Sequence, residues 1–301
     1  MAKVKFGISG YNYPPSDIYA MTQTLEELGF SSIWWGEHYV TPAAMSTQHP
    51  IVGSHDKVVE EETLLYDLFC LLSAIAGANK TLEVNTAINI VPLNNPLLLA
   101  RSCATLHDLS GGRFRLGMGA GWLAEEFAAL GIPFAERGGR LDEAVEILRK
   151  AFKGGFFDHH GKIFNFESLQ ITPHPTPVPL IGGGNKPKAL RRAAATADGW
   201  LNSVTVTLEE SLRARAEIEN ARVQLGTESR KFEYFIRPST LDARSIESFV
   251  GAGFTNLIVY AQFLYPELGG RPIWPRESAV PMAEKRSRLK SFADSMGVGR
   301  F

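Results

Sequence analysis

The hydrophobic pattern of this chain switches repeatedly between two periods along its whole length. Short apolar runs typical of buried strands alternate about eight times with amphipathic stretches typical of helices, beginning with Val4 to Ser9 and Ile18 to Leu28. Repeated strand-helix units predict parallel strands with helices packed outside them. About eight units in a chain of 301 residues match the usual length of a (β/α)8 barrel. We therefore predict an α/β fold, a TIM barrel, rather than an open sheet.

Nothing in the sequence divides the chain into separate units. It has no Pro/Ser-rich linker, no internal repeat and no low-complexity segment, so we predict a single barrel domain over residues 1–301. Gly155 to Ile171 interrupts the alternation, and its HHGKIFNF pattern predicts an inserted hairpin. In TIM barrels the loops after the strands form the active site. We expect the insertions and the long loops His38 to Glu62 and Gln262 to Val280 on that C-terminal face.

Composition disfavours several classes of function. A net charge of -1 gives no support for nucleic-acid binding, which needs a basic patch. The N-terminus enters a strand without a signal region, and no apolar run reaches the length of a membrane span. We expect a cytoplasmic protein with a small-molecule substrate and no nucleic-acid or membrane partner. Cys70 and Cys103 lie in apolar helical patterns, which predicts two buried thiols.

The first of two glycine-rich segments, Leu109 to Trp122, reads LSGGRFRLGMGAGW. Its glycines leave the end of the predicted strand Phe114 to Met118 without bulk, so a planar ring or a phosphate could approach the main chain. Gly119 and Ala120 are the candidate contacts there. The alternative is a tight turn that only needs small residues, and the motif by itself does not decide between the two.

The second segment, Pro179 to Trp200, reads PLIGGGNKPKALRRAAATADGW. A short apolar strand leads into Gly182, Gly183, Gly184 and Asn185, and a helix rich in basic residues follows. Successive glycine N–H groups can form an anion-binding nest, and a helix N-terminus adds partial positive charge. We predict a phosphate site here. The alternative is a solvated basic helix after a flexible loop.

The second predicted strand ends in an acid and a histidine, Glu37 and His38, within SIWWGEH. In a barrel this position directs side chains toward the catalytic mouth. His38 is the candidate acid/base because histidine titrates near neutral pH, and Glu37 would orient it or anchor a hydroxyl group. The alternative for His38 is a structural hydrogen bond at the rim. His159 and His160 have no carboxylate or cysteine at metal-ligand spacing, so we predict no metal.

Four segments, SIWWGEH, NTAINIVPLNNPLLLARSCATLHDLSGGRFRLGMGAGW, RGGRLDEAVEILRKAF and PLIGGGNKPKALRRAAATADGW, together resemble the bacterial luciferase-like family of flavin and deazaflavin enzymes. The resemblance implies a (β/α)8 barrel with an insertion and a cofactor across its C-terminal mouth. It implies that Glu37 and His38 form the strand-end acid-histidine pair and that Gly182 to Asn185 bind the cofactor phosphate. It also implies a non-prolyl cis peptide at Thr86-Ala87, bulging against the cofactor ring.

The choice of cofactor rests on finer similarities. GEHYVTP, VPLNNP and the run from LSGGRFRLGMGAGW to RGGRLDEA are more similar to the branch assigned to the deazaflavin coenzyme F420. Luciferase itself has an arginine for the FMN phosphate where this chain has Ala120, which favours F420 over FMN. We expect F420-dependent hydride transfer to or from a small organic substrate. The alternative is an FMN-dependent monooxygenase, and a non-catalytic flavin-binding relative is disfavoured by Glu37 and His38.

The substrate itself is not specified by these motifs. We expect specificity to reside in the two long loops, His38 to Glu62 and Gln262 to Val280, because such loops vary freely on a fixed barrel. Aromatic side chains in the second loop indicate a partly apolar substrate. We also expect a homodimer and, as a partner, a separate reductase for the flavin or for F420.

Overall fold

A parallel barrel forms the centre of the structure. It is closed because Lys5–Ser9 pairs with Asn256–Tyr260 and Glu83–Thr86 pairs with Phe114–Gly119. The computed structural model describes residues 4–9, 14–48, 64–173, 177–264 and 280–299. The predicted TIM barrel is confirmed. The strands are β1 (Lys5–Ser9), β2 (Ser32–Trp35), β3 (Glu83–Thr86), β4 (Asn89–Ile90), β5 (Phe114–Gly119), β6 (Phe157–His160), β7 (Asn165–Leu169), β8 (Leu180–Gly183), β9 (Gly199–Leu201), β10 (Glu233–Ile236) and β11 (Asn256–Tyr260).

Helices connect the strands and cover the outside of the barrel. β3 and β4 together occupy the third strand position, while β6 and β7 form the predicted antiparallel hairpin outside the barrel. The helices are α1 (Pro15–Glu27), α2 (Leu68–Ala78), α3 (Pro96–Leu109), α4 (Ala124–Ala129), α5 (Arg137–Lys153), α6 (Pro187–Thr196), α7 (Leu208–Leu225), α8 (Ala243–Gly251) and α9 (Met282–Met296).

Local sequence signals explain where several helices begin and end. Before α3 the Asn95 side chain accepts a hydrogen bond from Leu97 N, and Pro96 occupies the first turn, where its missing N–H costs nothing. Gly111 and Gly112, with φ of 63° and 83°, then turn the chain toward β5. At α7 the side chains of Thr207 and Glu210 form a reciprocal capping box.

Three features differ from the sequence predictions: the start of one helix, the presence of an additional helix and the exposure of one thiol. The hydrophobic pattern predicts a helix from Thr63 to Ala78, but α2 begins at Leu68, because the Asp67 side chain accepts a hydrogen bond from Cys70 N and caps the helix there. The segment after β5 contains α4, which the pattern did not predict. Cys103 is buried, but the prediction for Cys70 was wrong, since its place in the first turn of α2 leaves it exposed.

The barrel interior has an apolar layer above a charged base. Trp34 packs inside the barrel against Phe235, with ring centroids 4.9 Å apart, whereas Trp35 belongs to the outer core beneath the helices. At the base, Arg115 Nε lies 3.0 Å from a Glu83 oxygen and Nη1 lies 2.8 Å from a Glu233 oxygen. Burial lowers the pKa of Arg115, but the two carboxylates outweigh it and hold that pKa above its ordinary value.

Candidate active site at the barrel mouth

A cavity of about 790 Å³ opens at the carboxyl ends of the barrel strands. Most predicted site residues line it, while Thr86 and Gly182 do not. Its remaining wall is largely apolar, with a few polar side chains spaced around the rim. The predicted residues that line it are Glu37, His38, Ala87, Gly119, Ala120, Gly183, Gly184 and Asn185; other lining residues include Ser9, Trp35, Ile88, Trp122, Lys186, Leu201, Asn202, Arg237 and Tyr260.

His38 is held by a carboxylate from a different part of the chain. Its Nδ1 atom lies 3.2 Å from Glu126 Oε2, and the other carboxylate oxygen accepts a hydrogen bond from Tyr39 N at 2.5 Å. Glu126 is fully buried at the start of α4, so this contact fixes the imidazole ring and leaves Nε2 for the cavity. Of the two roles considered for Glu37, orienting His38 therefore falls to Glu126 instead.

Glu37 lies beside this pair but has its own partners. Its carboxylate accepts hydrogen bonds from Asn89 Nδ2 at 2.8 Å and Ile90 N at 2.9 Å. Burial raises the pKa of Glu37 to about 7; the bond from Ile90 lowers that pKa, and the nearby carboxylate of Glu126 raises it. Glu37 can therefore hold or release a proton near neutral pH. Burial likewise raises the pKa of Tyr39, whose hydroxyl donates to Asn94.

A non-prolyl cis peptide interrupts the third strand, one residue beyond the predicted position. It joins Ala87 to Ile88, not Thr86 to Ala87. The reason is the strand pairing: Ala87 N still donates to Trp35 O at 2.7 Å, so the regular ladder extends through Ala87. Thr86 is fully buried, and its hydroxyl donates to Gly117 O at 2.6 Å. Thr86 therefore stabilises the barrel wall and does not face the cavity.

The glycines at the ends of β5 and β8 make room for the Ile88 side chain. A Cβ on Gly183 would lie 2.8 Å from Ile88 Cγ2, and a Cβ on Gly119 would overlap Ile88 Cδ1. The space left by these glycines is thus filled by protein, and the cavity wall above them is formed by the Ala87-Ile88 bulge. Gly182 instead allows β8 to pack closely against α6, because a Cβ there would lie 2.7 Å from Ala193 Cβ.

The predicted phosphate loop leads directly into α6. Gly184 has a φ of 113°, in the region that favours glycine, and its carbonyl accepts a hydrogen bond from the Trp200 indole. Asn185 Oδ1 accepts from Ser203 N at 2.9 Å, which ties this loop to the end of β9. Within the described part of the chain, the amides of Asn185 and Lys186 have no backbone acceptor. Two main-chain donors, a lysine and the N-terminus of α6 therefore meet at one side of the cavity.

Arg237, which sequence reasoning missed, is buried at the end of β10 with 3% of its surface exposed. Its Nη1 donates to Asn202 O at 2.7 Å, and the guanidinium carbon lies 4.9 Å from the centroid of the Tyr260 ring. Burial lowers the pKa of Arg237, and Tyr260 acts in the opposite direction. In the sequence, Arg237 could have been recognised as an arginine at the end of an apolar strand. Glu126 could have been recognised as one of two adjacent acids that begin four residues after Gly121, the last glycine of the first glycine-rich segment.

The two loops expected to determine specificity are only partly described. Residues 49–63 and 265–279, including His49, His55 and Trp274, lie outside the described residues. Among those that are described, no cluster of three or more metal-ligating side chains occurs. The helices that can be examined include none with the length and apolar character needed to cross a bilayer.

The mouth has the features required by a planar ring that carries a phosphate. Its apolar wall at Ala87, Ile88 and Leu201 suits a flat ring, and the donors at Asn185 and Lys186 suit an anion at one end. The cavity volume also lies within the range of small-molecule and cofactor sites. This donor set fits a flavin or deazaflavin, and the assignment of individual residues to that role remains a prediction.

Comparison with known proteins places the chain in a family. An uncharacterized protein of Mycobacterium tuberculosis is 27% identical over 277 residues, covering 92% of this chain and 93% of that protein. An F420-dependent secondary alcohol dehydrogenase, solved with an F420-acetone adduct, has a TM-score of 0.75 at 16% identity and covers 98% of this chain and 99% of its own. The monooxygenase RslO1 of Streptomyces bottropensis has a TM-score of 0.70 at 17% identity and covers 97% and 98%.

These two likenesses to solved structures concern the fold, and sequence similarity carries the assignment. Residues 2–247 match the family described as luciferase-like monooxygenase, which is most of the chain. The barrel and its mouth cavity agree with that match. This chain belongs to the luciferase-like monooxygenase family of oxidoreductases.

Proposed function

We propose that this protein transfers a hydride between coenzyme F420 and a small organic substrate, with His38 moving the accompanying proton. One observation carries the proposal. The His38 imidazole, fixed by buried Glu126, lines the same cavity as the main-chain donors of Asn185 and Lys186. An acid/base and a phosphate site are thereby separated by an apolar wall formed in part by Ile88.

The residues that would hold the cofactor follow from this arrangement. Ala87 and Ile88 would support one face of the ring, and Gly184 to Lys186 would bind the phosphate at the start of α6. When bound, the deazaflavin supplies a two-electron hydride carrier that reacts poorly with oxygen. The chain contributes position, exclusion of water by the apolar wall, and a path for the proton.

The proton step assigns distinct tasks to three side chains. With Nδ1–H donating to Glu126, the lone pair of His38 Nε2 can accept a proton from a substrate hydroxyl as that substrate is oxidised. In the reverse direction the protonated ring returns the proton to the substrate oxygen. Glu37, whose pKa is raised to about 7, offers a second group that exchanges protons near neutral pH. Glu126 acts by orienting His38.

One sequence feature supports F420 over FMN, whereas the shared fold is compatible with both. Ala120 lines the mouth where luciferase has its phosphate-binding arginine, and no other described cation replaces it on that loop. The F420-dependent secondary alcohol dehydrogenase shares the fold over nearly its full length. The Streptomyces bottropensis monooxygenase shares it too, so the oxygen requirement is the property that separates the two reactions.

The test is turnover under controlled oxygen. The purified protein is incubated anaerobically with oxidised F420 and a panel of small primary and secondary alcohols, with and without a carboxylate group, and with reduced F420 and the corresponding carbonyl compounds. We expect a change in F420 absorbance that needs no oxygen. Consumption of oxygen with reduced FMN from an added reductase, and no reaction of F420 with any of these substrates, would instead identify the FMN-dependent monooxygenase.

A further inference from the structure

Arg237 is a buried cation at the mouth that the proposed reaction does not use. It lines the cavity, and the only hydrogen bond of its guanidinium among the described residues runs from Nη1 to Asn202 O. Nε has no partner, and no described carboxylate forms an ion pair with this guanidinium. A buried charge is costly unless it is paired, so an anion from outside the chain is the missing element.

A second unpartnered donor lies close by in the barrel. Ser9 ends β1, is 2% exposed, lines the same cavity, and has a hydroxyl with no hydrogen-bond partner. It pairs in the strand ladder with Tyr260, whose ring lies under the Arg237 guanidinium. Two buried donors without an acceptor thus border one part of the mouth, and this combination suits a carboxylate.

The barrel order places this pair away from the proposed phosphate loop and across from the proposed ring support. β10, which ends at Arg237, is the seventh barrel strand, and the Ala87-Ile88 bulge follows β3 in the third position. In a closed ring of eight strands, the third and seventh positions face each other. A ring supported by Ala87 and Ile88 would therefore have its open face toward Arg237.

We infer that Arg237, assisted by Ser9, binds a carboxylate group of the substrate, so that the substrates are small carboxylic acids with an apolar body. The inference rests on the proposed function, because it takes the cofactor ring to lie against Ala87 and Ile88. A guanidinium binds a carboxylate through two parallel hydrogen bonds, here from Nε and Nη2. The cofactor phosphate is expected at Lys186 instead.

The experiment compares benzoate with benzamide, which have the same shape but differ in charge. Binding to the cofactor-free protein is measured by calorimetry in a buffer of low anion content, and F420 and FMN are titrated separately. The same measurements are made on Arg237→Gln, on Arg237→Lys, and on Lys186→Gln as a control in the other part of the cavity. We expect at least tenfold tighter binding of benzoate than of benzamide, lost in Arg237→Gln and retained in Lys186→Gln.

Other outcomes would show whether the carboxylate subsite or the proposed function is wrong. No preference for benzoate in the unmodified protein, which requires no variant to fold, would overturn the inference. A preference that survives in Arg237→Gln would also overturn it, as would a tenfold loss of F420 or FMN affinity in that variant, since the anion would then belong to the cofactor. Benzoate preference that depends on Arg237, in a protein that binds neither F420 nor FMN, would leave the subsite standing and refute the proposed function.

Discussion

Arg115 and Arg237 lie at opposite ends of one barrel and differ in their partners. Arg115, at the base, forms ion pairs with Glu83 and Glu233 across the barrel. The Arg237 guanidinium, at the mouth, has a backbone carbonyl as its one described hydrogen-bond acceptor. At the base, Arg115 is paired with two carboxylates, whereas at the mouth no described carboxylate is paired with Arg237. If Arg237 binds a ligand as proposed, the difference separates a buried charge that stabilises the barrel through ion pairs from one whose partner comes from outside the chain.

His38→Ala tests the barrel mouth and should have the largest effect on turnover. A positioned acid/base contributes roughly 10²–10⁴ in rate, so kcat should fall by that factor while the thermal unfolding midpoint stays near that of the unmodified protein. Steady-state kinetics with F420 measure the loss. His160→Ala is the control, because that exposed hairpin residue lies away from the mouth. Near-normal kcat with much weaker cofactor binding would show that His38 only packs against the ring.

Arg115→Gln and Arg237→Gln test the comparison itself through stability. Removing Arg115 leaves two partly buried carboxylates without their cation, so the free energy of unfolding should fall by about 2–4 kcal/mol. Removing Arg237 relieves an unpaired charge, and the change should stay within about 1 kcal/mol. Urea denaturation at pH 7 measures both. A larger loss for Arg237→Gln than for Arg115→Gln would contradict the distinction between the two ends.

Glu126→Gln examines how the mouth holds its histidine. The amide keeps the shape but weakens the contact with His38 Nδ1, and kcat should fall roughly 10–100-fold because a misplaced acid/base loses most of its advantage. The effect should not add to that of His38→Ala. Glu125→Gln is the matched control, since the Glu125 carboxylate accepts hydrogen bonds from Ser46 and Thr47 and does not contact His38. Fully additive losses would mean that Glu126 acts independently.

Lys186→Glu probes the phosphate end of the cavity. A carboxylate beside the proposed anion site should weaken F420 binding about tenfold, or 1.4 kcal/mol, without changing the unfolding midpoint. Lys188→Glu, on the same helix but outside the cavity lining, should have little effect. A substitution at Gly183 would be less informative because its Cβ would displace Ile88. Equal effects of the two lysine variants would place the phosphate elsewhere.

Glu37→Gln should leave the fold intact at neutral pH and change only the pH dependence of stability. The folded-state pKa of about 7 lies above the ordinary 4.5, so the folded protein binds more protons between these values and its stability falls as pH rises from about 4.5 to 7. The difference between 4.5 and about 7 sets an upper limit of about 3 kcal/mol on the decline due to Glu37. Thermal melts of both proteins from pH 4.5 to 8 measure it. An unchanged slope in Glu37→Gln would assign the decline to other groups.

The sequence predicted those features that local patterns determine. The strand-helix alternation gave the barrel, and the HHGKIFNF pattern predicted the hairpin that contains His160. The glycines of β5 and β8 were recognised, but their partner Ile88 was not, because its side chain reaches them only in the closed barrel. The position of the cis bond was wrong by one residue because the ladder with β2 decides where the strand breaks.

The remaining site residues could not be predicted because their roles depend on tertiary contacts. Glu126 meets His38 across 88 positions of sequence, and no local spacing relates the two. Arg237 is distinguished by the absence of a described carboxylate partner, which only the packed barrel reveals. In both cases the residue type was visible in the sequence, while its surroundings were not.

The most direct test of the account is a titration of the purified, cofactor-free protein with F420 and, separately, with FMN, followed by fluorescence quenching. The account predicts saturable binding of F420 with a Kd on the order of 1 μM, or about -8 kcal/mol, and at least tenfold weaker binding of FMN. Tighter binding of FMN, or no quenching of F420 at all, would contradict it.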